Sequence, residues 1–79
     1  MESAYVLINC DLGSEEEIIS SLKHIESIKE IHGTFGAYDI IAKIEHTDSD
    51  KLRETITWSI RKIKHVRSTL TLMGIKGQN

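Results

Sequence analysis

Cys10, four histidines, a run of cations near residue 64 and the stretch Gly33 to Asp39 are the residues of this 79-residue chain whose types could do chemistry. His24, His32, His46 and His65 stand far apart, and none falls in an H-x-x-x-H or C-x-x-C grouping. That spacing is what lets one element present two ligands to the same ion. The histidines therefore read as solvated or capping residues, and neither a metal nor a cofactor is expected. Cys10 has no neighbouring His or Lys in the sequence to activate it, and it ends the alternating series Ala4, Val6, Ile8. A buried packing cysteine is expected, not a nucleophile. Ser14, Ser20, Ser21 and Asp11 make no triad signature, so no catalytic residue is assigned.

Arg61, Lys62, Lys64, His65 and Arg67 could touch an anionic partner. Their place at the end of a helix accounts for them, because cations there oppose the helix dipole. They lack the aromatic interleaving of an RNA-binding surface. Ten Lys+Arg against 12 Asp+Glu leave a net charge of -2, so binding driven by phosphate neutralisation is not expected. Trp58 stands off the apolar stripe of its helix, which suggests either an interface or packing against the chain's own tail.

The stretch Gly33-Thr34-Phe35-Gly36-Ala37-Tyr38-Asp39 carries the most information. It is not a phosphate loop, since a strand pattern follows it where a P-loop would open a helix. A hairpin turn accounts for its glycines. Asp39 is not accounted for so simply, because carboxylates are disfavoured in strands. Its expected role is to anchor either a ligand ammonium or an exposed backbone amide.

The elements that must position these residues follow from periodicity. Ala4 to Cys10 is apolar on both alternating faces, as in a central strand. Ser14 and Glu17 form a capping-box signal, and Ile18, Leu22 and Ile25 then make a helix stripe with Ile19 beside it. From Ile28 to Ile44 the period returns to two about a Gly36-Ala37 turn. That turn pairs Phe35 with Tyr38, Thr34 with Asp39, Gly33 with Ile40, His32 with Ile41, Ile31 with Ala42, Glu30 with Lys43 and Lys29 with Ile44. Asp48 and Ser49 are N-cap candidates for a second helix whose stripe is Leu52, Ile56, Ile60 and Ile63. A last strand runs from Val66 to Ile75, with Val66, Ser68, Leu70 and Leu72 expected on one face, and Gly74 and Gly77 read as part of a fraying tail.

The order β-α-β-β-α-β is that of an α+β, ferredoxin-like fold, with a four-stranded antiparallel sheet of order 4-1-3-2 and both helices on one face. The uncovered face is expected to present Tyr5, Leu7 and Ile41, together with Thr69, Thr71 and Met73 from the edge strand. A domain this short buries only about 60% of its unfolded surface, and with no disulfide possible from a single cysteine, oligomerisation through that face is the expected source of stability. The longest run of large apolar residues, Tyr5 to Ile8, is four residues, so no membrane helix is expected. Met1-Glu2-Ser3 lacks a secretory signal, and a lone cysteine makes the cytoplasm the simplest setting.

The pattern Gly36-x-Tyr38-Asp39-Ile40, followed some thirty residues later by Val66-x-x-Thr69-x-Thr71, resembles the effector-binding domain of the Lrp/AsnC feast/famine regulators, the RAM domain. The resemblance covers Ala4 to Ile75 in the same element order. It implies a dimeric α+β barrel made through the open sheet faces, rings of dimers up to octamers, and an amino-acid effector bound between dimers. Thr34, Gly36, Ala37, Tyr38, Asp39, Thr69 and Thr71 are then the expected ligand-binding residues, and Tyr5, Leu7, Ile41 and Met73 the expected oligomer interface. Turn amides around Gly36 would meet the carboxylate, and Asp39 or the threonine hydroxyls the ammonium. Full-length members carry an N-terminal helix-turn-helix domain. Residues 1–79 are read as a single RAM domain without one, linked to transcription regulation but not binding DNA directly. The alternatives are a structural partner that co-assembles with full-length Lrp/AsnC regulators, an ACT-like domain, and a small dimeric α+β barrel enzyme.

Overall fold

The computed structural model describes residues 2–73. β1 (Glu2–Cys10) leads to α1 (Glu15–Leu22), then to the hairpin of β2 (Ile28–Gly33) and β3 (Ile40–His46). α2 (Ser49–Glu54) runs on into a π-helical segment (Thr55–Ile60), and β4 (Val66–Met73) closes the sheet. The strands pair antiparallel in the order β2-β3-β1-β4, which is the expected ferredoxin-like arrangement. The expected continuation of the last strand to Ile75 and the glycine tail lie outside the described residues. Among the described residues, no helix is long and apolar enough to cross a membrane.

The core is one layer deep. Ala4, Val6, Ile8 and Cys10 from β1 and Ile40, Ala42 and Ile44 from β3 meet Ile18 and Leu22 of α1 and Leu52, Ile56 and Ile60 above them. Ile18 and Leu22, and Leu52, Ile56 and Ile60, thus form the expected stripes, while Ile25 and Ile63 stand just beyond the helix ends, half-buried against the core. Their caps differ. Asp48 Oδ1 accepts the Asp50 amide at 2.9 Å. Ser14 stands at the N-cap of α1 but its hydroxyl makes no capping hydrogen bond, so the expected capping box does not form. Glu15, Glu16 and Glu17 still sit in the first turn, where the dipole favours them. Beyond α2 the Arg61 amide donates to the Ile56 carbonyl at 3.2 Å, an i to i−5 bond that widens the turn as a π-helix does.

The hairpin register holds from Gly33↔Ile40 through Glu30↔Lys43. Two features depart from expectation. Lys29 is bulged out, so Ile28 and not Lys29 stands opposite Ile44, which returns an isoleucine to the core side. The turn is also longer than two residues. The Thr34 amide donates to the Asp39 carbonyl at 2.9 Å, and the Thr34 hydroxyl donates to the Tyr38 carbonyl at 2.7 Å. That side-chain bond takes the place of a Phe35–Tyr38 rung and leaves Phe35 fully exposed. Gly36 adopts φ +132° within this loop, a conformation that side chains rarely tolerate.

β4 presents its faces the other way round from the expectation. Ala4, Val6 and Ile8 stand opposite Met73, Thr71 and Thr69, whereas Tyr5, Leu7 and Asn9 stand opposite Leu72, Leu70 and Ser68. Thr69, Thr71 and Met73 therefore lie on the helix side, and Leu70 and Leu72 join Tyr5, Leu7 and Ile41 on the open face. The cause is a bulge. Asn9 faces Ser68 but Cys10 faces Val66, so Arg67 is an extra residue, and strict alternation counted from Val66 is off by one beyond it. Met73 leaves the expected interface for this reason. The open face becomes more apolar than the sequence pattern suggested.

Candidate functional site

The site lies at the end of the sheet where β1 finishes, β3 begins and β4 begins. The Asp39 amide donates to the Ile8 carbonyl at 2.9 Å, which ties the residue before β3 to the end of β1. Asp39 as well as Ile40 thus stands against Ile8, just outside β3, near the row where Asn9 faces Ser68. The Asp39 carboxylate turns to the backbone. Its Oδ2 accepts the Cys10 amide at 3.0 Å and lies 3.7 Å from the Cys10 sulfur. Of the two roles the sequence allowed for Asp39, anchoring an exposed amide is the one the fold uses; no hydrogen bond among the described residues occupies Oδ1.

The Asp39 charge acts back on Cys10. Burial, reinforced by the neighbouring carboxylates with Asp39 foremost, pushes the thiol from 9.0 up to about 11. Such a thiol is protonated at neutral pH and inert as a nucleophile. Next along the chain, the Asp11 amide donates to the His65 carbonyl at 2.9 Å. The His65 ring stands between Asp11 Oδ2 at 3.1 Å and Glu17 Oε2 at 3.7 Å. These contacts hold His65 at φ 76°, an uncommon conformation for a residue with a side chain, and so fix the entry to β4.

Two hollows open beside Asp39. One, of about 430 Å³, is lined by Asn9, Cys10, Asp39, Arg67 and Ser68. The other, of about 360 Å³, is lined by Glu15, Gly33, Thr34, Phe35 and Asp39. Among the expected ligand residues, Thr34, Gly36, Ala37, Tyr38 and Asp39 share the β2–β3 loop and its flanks, and Thr34 and Asp39 line one hollow together. Thr69 and Thr71 do not join them. They lie on the helix side of β4, where the Thr69 hydroxyl accepts Arg61 Nε at 3.1 Å. Sequence reasoning passed over Asn9, Arg67 and Ser68. Asn9 carried a signal, as a lone amide in the otherwise apolar run from Ala4 to Cys10, while Arg67 was absorbed into the helix-end cations. Among the described residues no three of His, Cys, Asp and Glu stand close enough to hold a metal. Trp58 is 60% exposed, with the Lys62 ammonium 4.2 Å above its ring.

Comparison with known proteins places this geometry. The family model for the Lrp/AsnC ligand binding domain matches residues 3–76. Homocitrate synthase of Saccharolobus solfataricus is 36% identical over 74 residues, covering 92% of this chain and 16% of the enzyme. The chain thus spans about 16% of the length of the curated relatives it matches. Among solved structures, a hypothetical protein from Pyrococcus horikoshii is 32% identical, with a TM-score of 0.88 over 95% of this chain and 90% of that one. A transcriptional regulator from Neisseria meningitidis, solved in complex with L-Met, is 11% identical with a TM-score of 0.85, over 99% of this chain and 52% of the regulator. At that identity the likeness is one of fold.

Two outcomes follow from the Asp39–Cys10 contact. Asp39→Ala leaves the Cys10 amide without its acceptor and should lower stability in urea denaturation by about 1–3 kcal/mol. Cys10 should resist iodoacetamide in the native protein at pH 8 and react readily in urea. Because the folded state holds the thiol proton more tightly than the unfolded chain, the contribution is complete below about pH 9 and drains as pH rises towards 11. The urea midpoint should therefore fall across that interval, and less steeply in Cys10→Ala.

Proposed function

The chain belongs to the Lrp/AsnC ligand-binding domain family, and from that premise we propose that it is a regulatory module whose effector is an amino acid and whose working form is a homo-oligomer. The observation that carries the effector reading is Asp39 beside its glycine loop. One carboxylate oxygen is held by the Cys10 amide and the other is left to accept an ammonium. The loop around Gly36 offers further backbone amide donors. The relative from Neisseria meningitidis was solved with an amino acid, L-Met, which accords with this choice of ligand. Neither direct DNA binding nor catalysis is part of the reading.

The oligomer reading rests on the open face. Tyr5, Leu7, Ile41, Leu70 and Leu72 form a contiguous apolar surface across β3, β1 and β4, and Tyr5, Leu70 and Leu72 are each more than two-fifths exposed. Two such faces packed together would bury them, and rings of dimers would follow by further contacts at the sheet ends. Co-assembly with full-length Lrp/AsnC regulators is the same contact made with a different partner. A second reading is favoured by the segment shared with homocitrate synthase: the module passes the effector signal to an enzyme. The two readings share one effector site. They part on whether a regulator or an enzyme accompanies the chain when it is isolated from its own cells.

Calorimetry with the twenty amino acids should reveal one that binds. Asp39→Ala should weaken it by about 1.5–3 kcal/mol, the range for a hydrogen bond to a charged group. Gly36→Val should do comparable damage, since nothing crowds the position and the penalty comes from its φ alone. A lower melting temperature in Asp39→Ala with unchanged affinity would make Asp39 purely structural and end this assignment. Light scattering should give a dimer or larger at micromolar concentration, and Leu7→Asp should give monomer or unfolded chain, because the charge would be buried unpaired.

A further inference from the structure

We propose that Arg67 is the carboxylate-binding residue of an amino-acid site whose other pole is Asp39. This rests on the effector reading above and adds to it a residue, and a seat for the ligand, that the β2–β3 loop does not supply by itself.

Arg67 is the extra residue of the β4 bulge, with no partner between Cys10↔Val66 and Asn9↔Ser68. A bulge gives up regular ladder bonds and re-aims a side chain, and such features concentrate beside binding and active sites. The side chain re-aimed here is a guanidinium. It is 71% exposed, and its Nε makes a loose, exposed ion pair with Asp11 Oδ1 at 3.9 Å, beyond hydrogen-bond distance. The planar fork that suits carboxylates is thus left free of any hydrogen bond among the described residues, and nothing in the core needs it.

The hollow beside Arg67, about 430 Å³, has Asp39 on the β3 wall, Arg67 and Ser68 on the β4 wall, and Asn9 and Cys10 of β1 as its floor. That volume lies within the roughly 300–1,000 Å³ of small-molecule sites. The two walls are separated by one strand, so their backbones stand about 9–10 Å apart. An extended arginine on one side and an aspartate on the other narrow this to the reach of an amino acid lying across β1. Its ammonium would meet the unoccupied Oδ1 of Asp39 and its carboxylate the fork of Arg67, with the Asn9 amide and Ser68 hydroxyl between them. The pairing selects a zwitterion. A simple anion would face the Asp39 carboxylate, and a simple cation would face Arg67.

The test uses calorimetry on the full chain with each of the twenty L-amino acids, and then the tightest binder and its carboxamide on the wild type and Arg67→Gln. Arg67→Gln should bind the amino acid at least tenfold more weakly. Replacing the carboxylate by the carboxamide should cost the wild type a similar factor and cost Arg67→Gln little more, since the same contact is lost both ways. Arg53→Gln, which removes the same charge from α2, should leave affinity unchanged. Because Arg67 is exposed, Arg67→Gln should melt at the wild-type temperature. Equal affinity in wild type and Arg67→Gln overturns the assignment of Arg67 while the effector reading stands. So do losses from Arg67→Gln and carboxamide that simply multiply, which would seat the carboxylate elsewhere. If none of the twenty binds, the effector reading falls, and this site with it.

Discussion

The burial of one face of β1 is the constraint on which the rest of this structure depends. Ala4, Val6, Ile8 and Cys10 are all buried, and β3 and β4 pair along both edges of the same strand. Each isoleucine or leucine wholly buried against that face contributes about 1.5–3 kcal/mol, and a short chain has few of them. The two helices cover one side of a sheet that has two. Tyr5, Leu7, Ile41, Leu70 and Leu72 on the other side are the consequence of that geometry, not an accident of composition, because a single layer of two helices has nothing left to lay over them.

Where β1 stops, its last amide needs a partner, and the fold supplies one from a side chain. Asp39 receives the Cys10 amide, and His65 receives the Asp11 amide through its carbonyl. The end of the sheet is therefore polar by necessity. The Asp39 carboxylate and the Arg67 guanidinium accordingly flank one hollow with Asn9, Cys10 and Ser68. Holding the Cys10 amide is why an acid that strand statistics disfavour stands beside a glycine loop.

Much of this was legible in the residues. The helix stripes, the strand order and the central register from Gly33↔Ile40 to Glu30↔Lys43 follow from periodicity alone, since any slip would turn isoleucines out of the core. The unresolved part was local. Bulges at Lys29 and Arg67 each insert one residue, and period-2 counting has no means of registering an insertion. The first bulge altered one pair. The second inverted a whole strand, moving Thr69, Thr71 and Met73 to the helix side. The loop was misjudged for a similar reason: the Thr34 hydroxyl took the Tyr38 carbonyl, a side-chain competitor that turn rules based on glycine alone do not weigh. For the proposed site, the sequence pointed to the loop from Thr34 to Asp39, and the places of Arg67 and Ser68 were hidden behind the inverted strand.

The inversion has a functional sense that a regular strand would lack. Had β4 alternated without a bulge from Val66, it would have turned Leu70 and Leu72 towards the helices and threonines towards the open face, weakening the one surface able to bury itself against a second copy. The extra residue corrects the faces, and it does so at the row where Asn9 meets Ser68. The residue that sets which side chains β4 offers for assembly is thus the one beside the polar hollow. Open face and hollow thus share one structural cause, the extra residue at position 67.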